Sequence, residues 1–167
     1  MSSVYNRGMK KVKHLILFVL LLCLCFALTA CGGNSGGGEL PGNEGEEITE
    51  MYITINGNKM KVTLAENSSV DALVGLLKQG DITYTADDYG GFEKVGGLGH
   101  TLPTNHVQTV TEPGDIVLYQ TNQIVMFYGS NSWSYTRLGK INYSSQSELE
   151  SFLGAGQGSV QVTISLK

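Results

Sequence analysis

From residue 51 onward, apolar and polar residues alternate in short runs cut apart by turn residues. That period of two constrains the fold more than any other feature, because it puts one face of each run against a core. MYITI (51–55) and KMKVTL (59–64) flank Asn56-Gly57-Asn58, a turn signal, and predict a hairpin. Ile53 and Ile55 share one face, as do Met60, Val62 and Leu64. The period then changes. Val70, Leu73, Val74 and Leu77 recur at helical spacing, with Asn67 or Ser68 as N-cap and Gly80 as the stop, which predicts an amphipathic helix. ITYTADDY (82–89) resumes the strand pattern, and HVQTVT (106–111) alternates again. A turn at Glu112-Pro113-Gly114-Asp115 leads to a second hairpin, IVLYQ and IVMFYG, around Asn122-Gln123. SWSYTRLGKI is a further strand, SQSELESFLG a short second helix, and VQVTISL a last alternating strand. About eight strands, two short helices and many polar turns predict a mainly-β, closed eight-stranded barrel. Its first and last strands are long and regular and are expected to pair.

The first 47 residues follow other rules. Lys10, Lys11 and Lys13 precede an unbroken apolar run over 15–28, which ends in Leu28-Thr29-Ala30-Cys31. The run is shorter than the roughly 20 residues a helical bilayer span needs. A basic start, a short apolar stretch and a small-residue exit predict a secretory signal over 1–30. The cysteine directly after Leu-Thr-Ala matches a bacterial lipobox, in which the thiol is alkylated by diacylglycerol before the signal is cut. Cys31 is therefore the expected lipid attachment site and mature N-terminus. Met9 starts a more typical signal than Met1. Cys23 and Cys25 fall in the discarded run, so no intramolecular disulfide is available to the exported part. Residues 31–47 read as the lipidated cysteine and a Gly-rich flexible tether. A tether of about 16 such residues has a reach of roughly 20–25 Å. Residues 48–167 are the domain.

Charge divides at the same point. Seven basic residues against 15 acidic ones leave the part from Cys31 onward at −8. That balance excludes nucleic acid and electrostatic binding to anionic lipid as modes of action. The expected location is the outer face of the cell membrane, with the lipid as the first partner and a peptide or small molecule as the second.

DYGGFEKVGGLGHT (88–101) carries five glycines in fourteen positions. A Walker loop would need Lys-Ser where Gly97-Leu98 stands after the Gly91 and Gly96 pair. A dinucleotide loop would need a helix after Gly97-Leu98-Gly99, where His100-Thr101-Leu102 follows instead. Both phosphate readings fail at the residues that make the contact, and the stretch reads as a long loop carrying Phe92, Glu93, Lys94 and His100. His100 and His106 lie near Asp87 and Asp88, but without a second thiol or a helical His pair they predict no metal site. No serine-hydrolase elbow between a strand and a helix is predicted. No cofactor is expected.

The chain order of hairpin, helix, DYGGFEKVGGLG, EPGDIVLYQ, IVMFYG and SYTRLGKI resembles a bacterial cyclophilin-like domain family, over about residues 51–166. The resemblance implies a cyclophilin-type barrel, often carried on lipoproteins. Cyclophilins isomerise X-Pro bonds with an arginine that hydrogen-bonds the prolyl nitrogen, beside an apolar pocket for the ring. Their Phe-His-Arg signature does not occur here, and Arg137 is the one arginine beyond Cys31. If any residue is catalytic, it is Arg137. Aromatic residues carry the binding expectation: Tyr89, Phe92, Phe127, Tyr128, Trp133 and Tyr135 cluster in the glycine stretch and the strands after it. Phe127 and Tyr128 are adjacent, so one faces in and the other out, and Trp133 in polar SNSWSY is the expected rim of a pocket. The candidate groove is therefore Arg137, Phe92, His100, Phe127, Tyr128, Trp133 and Tyr135. The leading expectation is a membrane-anchored binding module without catalysis. The alternatives are a prolyl isomerase with a non-standard site and a structural lipoprotein without a ligand.

Overall fold

The structure, a computed structural model, describes residues 47–167. The expected signal peptide, the expected lipid attachment site Cys31 and the expected tether up to residue 46 lie outside the described residues. The elements run β1 (Glu50–Ile55), β2 (Asn58–Leu64), α1 (Ser68–Leu77), β3 (Ile82–Tyr89), β4 (Glu93–Gly97), β5 (Val107–Val110), β6 (Asp115–Tyr119), β7 (Gln123–Phe127), β8 (Ser132–Ile141), α2 (Gln146–Leu153) and β9 (Val160–Ser165).

Eight strands close a ring in the order β2-β1-β9-β3-β4-β7-β6-β8, and pairing of β8 with β2 completes it. All neighbours in the ring are antiparallel. The first and last strands pair as expected, with Ile53 opposite Ile164 and Ile55 opposite Val162. β5 stands outside the ring. It pairs with the first half of β8, whereas β6 takes the second half, where a bulge shifts the register between Ile116 and Val117. Ten-residue β8 thus reaches past the end of β6 and carries its leading residues beyond the closed wall.

Local chemistry explains the turns and caps. Asn56 and Gly57 both have positive φ (51° and 79°), as the two-residue hairpin of β1 and β2 requires. Asn67 caps α1 by accepting from the amides of Ser69 and Val70. Ser145 caps α2 through the Glu148 amide, and Glu148 reaches back to accept from Ser144.

The barrel interior is the main core, with Met51, Ile53, Val62, Ile116, Leu118, Ile124, Met126, Leu138 and Val162 fully buried. α1 closes onto it with Val70, Leu73, Val74 and Leu77. Each such side chain contributes about 1.5–3 kcal/mol by leaving water. A second, smaller cluster of Val117, Val125, Phe127 and Tyr135 packs apart from the first, joined by Phe92, Val95 and Tyr119. It sits on the outer face of β4, β7 and β6, because these are the residues alternate to the interior ones. The runs IVLY and IVMFY are apolar at every position for this reason: both faces of these strands are covered.

The reading of the glycine stretch as one long loop is corrected here. Glu93–Gly97 is a strand, β4, paired with β3 and β7. Gly90 and Gly91, both at positive φ, make the tight turn into it. Gly96 lies where a Cβ would come within 2.4 Å of the Thr85 carbonyl oxygen. The stretch therefore supplies a turn and a close strand approach, and the wall of the barrel runs through it. The strand count rises to nine, of which eight form the barrel.

Candidate functional site

On β4 the alternation sends Glu93 and Val95 outward and Lys94 and Gly96 inward. On β7 it sends Val125 and Phe127 outward, and Ile124, Met126 and Tyr128 inward. Over the outer face of these strands lies a pocket of about 310 Å³. Val95 and Val125 line it from below, and Tyr119 and Gln123 from the β6–β7 side. Trp133 and Tyr135, on the part of β8 that overruns β6, form its far wall with Asn131, and Tyr89 stands at the end of β3.

Aromatic packing supports the pocket wall. Phe92 stacks nearly parallel to Phe127, with ring centroids 6.4 Å apart. Tyr135 meets Phe127 edge-on at 5.8 Å and Tyr119 at 6.1 Å, arrangements favoured by the ring quadrupoles. Asn131 is held in place twice. Its amide donates to the Thr111 hydroxyl, and its carbonyl accepts from the Thr111 amide. Its side-chain Nδ2 donates to the Tyr135 hydroxyl at 3.0 Å.

Among the described residues, Glu93 is the one charged residue that lines this pocket. It is 5% exposed, and its Oε2 is buried without a hydrogen-bond partner. Burial pushes its carboxyl from the ordinary 4.5 up to about 7. The Tyr135 phenol is also raised, first by burial and then by the charge of Glu93.

The other side of β4 has a different polar arrangement. Lys94 is fully buried, and its ammonium pairs with Asp88 at 2.9 Å and donates to the Gly158 carbonyl. Asp88 also accepts from the Tyr128 hydroxyl and the Gly158 amide. Burial acts to raise the Asp88 carboxyl, but the hydrogen bonds from Lys94, Gly158 and Tyr128 outweigh it, and its pKa lies below the usual value. The Tyr128 phenol is pushed up to about 12, by burial and by the Asp88 carboxylate. This network is closed on itself and ties β3, β4, β7 and the segment before β9 together.

Two of the seven candidate groove residues, Trp133 and Tyr135, line the pocket; Phe127 packs against Tyr135 and Phe92 without lining it. Tyr128 points to the interior instead. His100 is exposed in the segment after β4 and does not line the pocket. His106 is held by the Gln120 carbonyl and the Thr136 hydroxyl. Arg137 donates to Asp115 at 2.8 Å and to the Val110 carbonyl, and it does not line the pocket either. Glu93, Val95, Tyr119, Gln123 and Asn131 were not among the expected groove residues. The unbroken apolarity of β6 and β7 signals a covered outer face that takes in Tyr119, whereas no local signal marks Glu93, Val95, Gln123 or Asn131. Among the described residues, no three His, Cys, Asp or Glu gather as a metal group, and no helix is long and apolar enough to cross a membrane.

A mostly apolar concavity with a few placed polar groups is the form that peptide and small-ligand sites take. Comparison with known proteins bears on the fold that carries it. The solution structure of a hypothetical protein from Archaeoglobus fulgidus superposes with a TM-score of 0.53 at 18% identity, covering 74% of this chain and 99% of that one. Likeness at that identity shows the fold alone. A search of curated proteins finds no match. The family model of the cyclophilin-like family matches residues 53–165, from within β1 to the end of β9. With its closed ring and match along nearly the whole barrel, the chain belongs to the cyclophilin-like family.

Proposed function

We propose that this chain is an extracytoplasmic lipoprotein, anchored in the cell membrane by an acylated Cys31, whose barrel binds a peptide or small ligand without transforming it. The observation that carries the binding reading is the outer-face pocket of about 310 Å³, lined by Tyr89, Tyr119, Trp133 and Tyr135. Tyrosine and tryptophan supply contact area together with a polar handle, which suits recognition. Lipid attachment rests on the Leu-Thr-Ala-Cys sequence after a short apolar run.

The isomerase alternative draws less support. Uncatalysed X-Pro exchange takes tens of seconds, so an effective enzyme must remove several kcal/mol with a donor placed at the prolyl nitrogen. Arg137 is engaged by Asp115 and the Val110 carbonyl, away from the pocket lining. Two-dimensional NMR exchange spectra of an X-Pro peptide panel, with and without the protein, test the choice. Saturable peptide shifts without exchange cross-peaks are the expected result. Exchange cross-peaks that vanish in Arg137→Ala would establish an isomerase instead.

A further inference from the structure

Glu93 presents an unsolved local problem. A carboxylate oxygen buried without a donor is costly, and few native side chains are left that way. Nothing else lining the pocket resolves it. Tyr89 of β3, Tyr119 of β6 and Tyr135 of β8 are the other titratable groups there, β7 contributes only uncharged Gln123 and Val125, and no Lys or Arg takes part. Lys94, its chain neighbour, points to the opposite face and is paired with Asp88. The Nδ2 of Asn131, an amide of the wall, already donates to Tyr135.

Two separate features of this pocket favour the same kind of guest. A buried carboxylate is satisfied by a group that brings both a positive charge and N–H donors. Faces of Trp and Tyr attract a cation through the ring quadrupole, and three tyrosines and a tryptophan line the same pocket as this acid. Trp133, 57% exposed, has ring surface left for such a contact. An anionic guest would meet Glu93 as a like charge, and a neutral one could donate a hydrogen bond to Oε2 but would bring no countercharge.

We infer that the outer-face pocket is a site for a primary ammonium group, which Glu93 receives as a carboxylate inside an aromatic enclosure. The guest chemistry is that of a lysine side chain or of a small free amine. This inference rests on the reading of the pocket as a ligand site and names what it takes.

The chain contains a single tryptophan, so the indole N–H cross-peak of Trp133 reports on the pocket alone. The full chain, ¹⁵N-labelled in a maltoside detergent, is titrated with butylammonium, butanol, butyrate and an acetylated, amidated Gly-Lys-Gly peptide. Butylammonium is expected to shift the Trp133 signal saturably, with butanol and butyrate weaker by roughly tenfold or more. Glu93→Gln is expected to remove that preference. Raising the pH from about 6 to about 8 ionises Glu93 while the ammonium stays charged, so wild-type affinity should rise roughly tenfold. The pH profile tests the inference even where the variant folds poorly. Tighter binding of the peptide than of butylammonium assigns the site to lysine side chains, and the reverse assigns it to free amines. Equal binding of the neutral or anionic probe, or a preference that persists in Glu93→Gln, overturns the ammonium site and leaves the binding module standing. Failure of all four probes to move the Trp133 signal overturns both.

Discussion

Two charged residues next to each other on β4 meet opposite fates, and each makes a measurable claim. Glu93 is raised to about 7 by burial, against an ordinary value of 4.5. Between those values the folded protein holds a proton that the unfolded chain has released, so stability falls as pH rises through that window. Glu93→Gln abolishes the effect. Allowing for solvent at the open side of the pocket, the variant should match wild type near pH 4.5 and exceed it by about 1–2 kcal/mol at pH 8. Urea unfolding at the two pH values measures this. Lys94 is deeper but satisfied by Asp88 and Gly158. Asp88→Ala strands that ammonium and is expected to cost about 3–5 kcal/mol. The double variant Asp88→Ala with Lys94→Met should recover part of that loss, because no charge is then left unpaired.

At the scale of elements, β4 is the informative case. Its sequence, EKVGG, has two charges, two glycines and one β-branched residue, so neither propensity nor alternation marks it as a strand. It is a strand because β3 and β7 supply hydrogen-bonding partners on both edges and because Lys94 finds the partly buried carboxylate of Asp88. Both conditions are set by distant segments. Gly96 allows the close approach to β3, with Tyr84 ring atoms and the Thr85 carbonyl where a side chain would begin. Gly96→Ala is expected to destabilise the barrel by about 1–3 kcal/mol, since backbone on one side leaves little room to yield. A shift of the urea midpoint without a change in slope would mark it as a loss of packing within an unchanged fold. The remaining elements were legible for local reasons: Asn56-Gly57 sets a hairpin, Asn67 and Ser145 set helix starts, and helical or twofold spacing sets the buried faces.

For the whole molecule, the proposed anchor and the barrel are separable in function. The proposed tether, with an expected reach of roughly 20–25 Å, would hold a small domain clear of a headgroup layer. In a host that lipidates it, the full chain is expected to take up labelled palmitate and enter the detergent phase, and Cys31→Ser should lose both while keeping the barrel's NMR spectrum. Barrel closure itself was readable in outline, since alternating runs and regular terminal strands demand partners on both edges. What the sequence determined on its own is local in origin: the period of each run, the turns and caps between runs, and the segregation of charge around Cys31. What only the tertiary structure decided is which alternate faces share a surface. Glu93, Tyr119, Gln123 and Tyr135 lie on four strands, and β-sheet neighbours far apart in the chain bring them to one pocket, while Arg137, two residues from Tyr135, is taken by Asp115. Alternation tells a strand it has two faces, but the burial of the second face, and the acid left inside it, depends on contacts that no local spacing encodes.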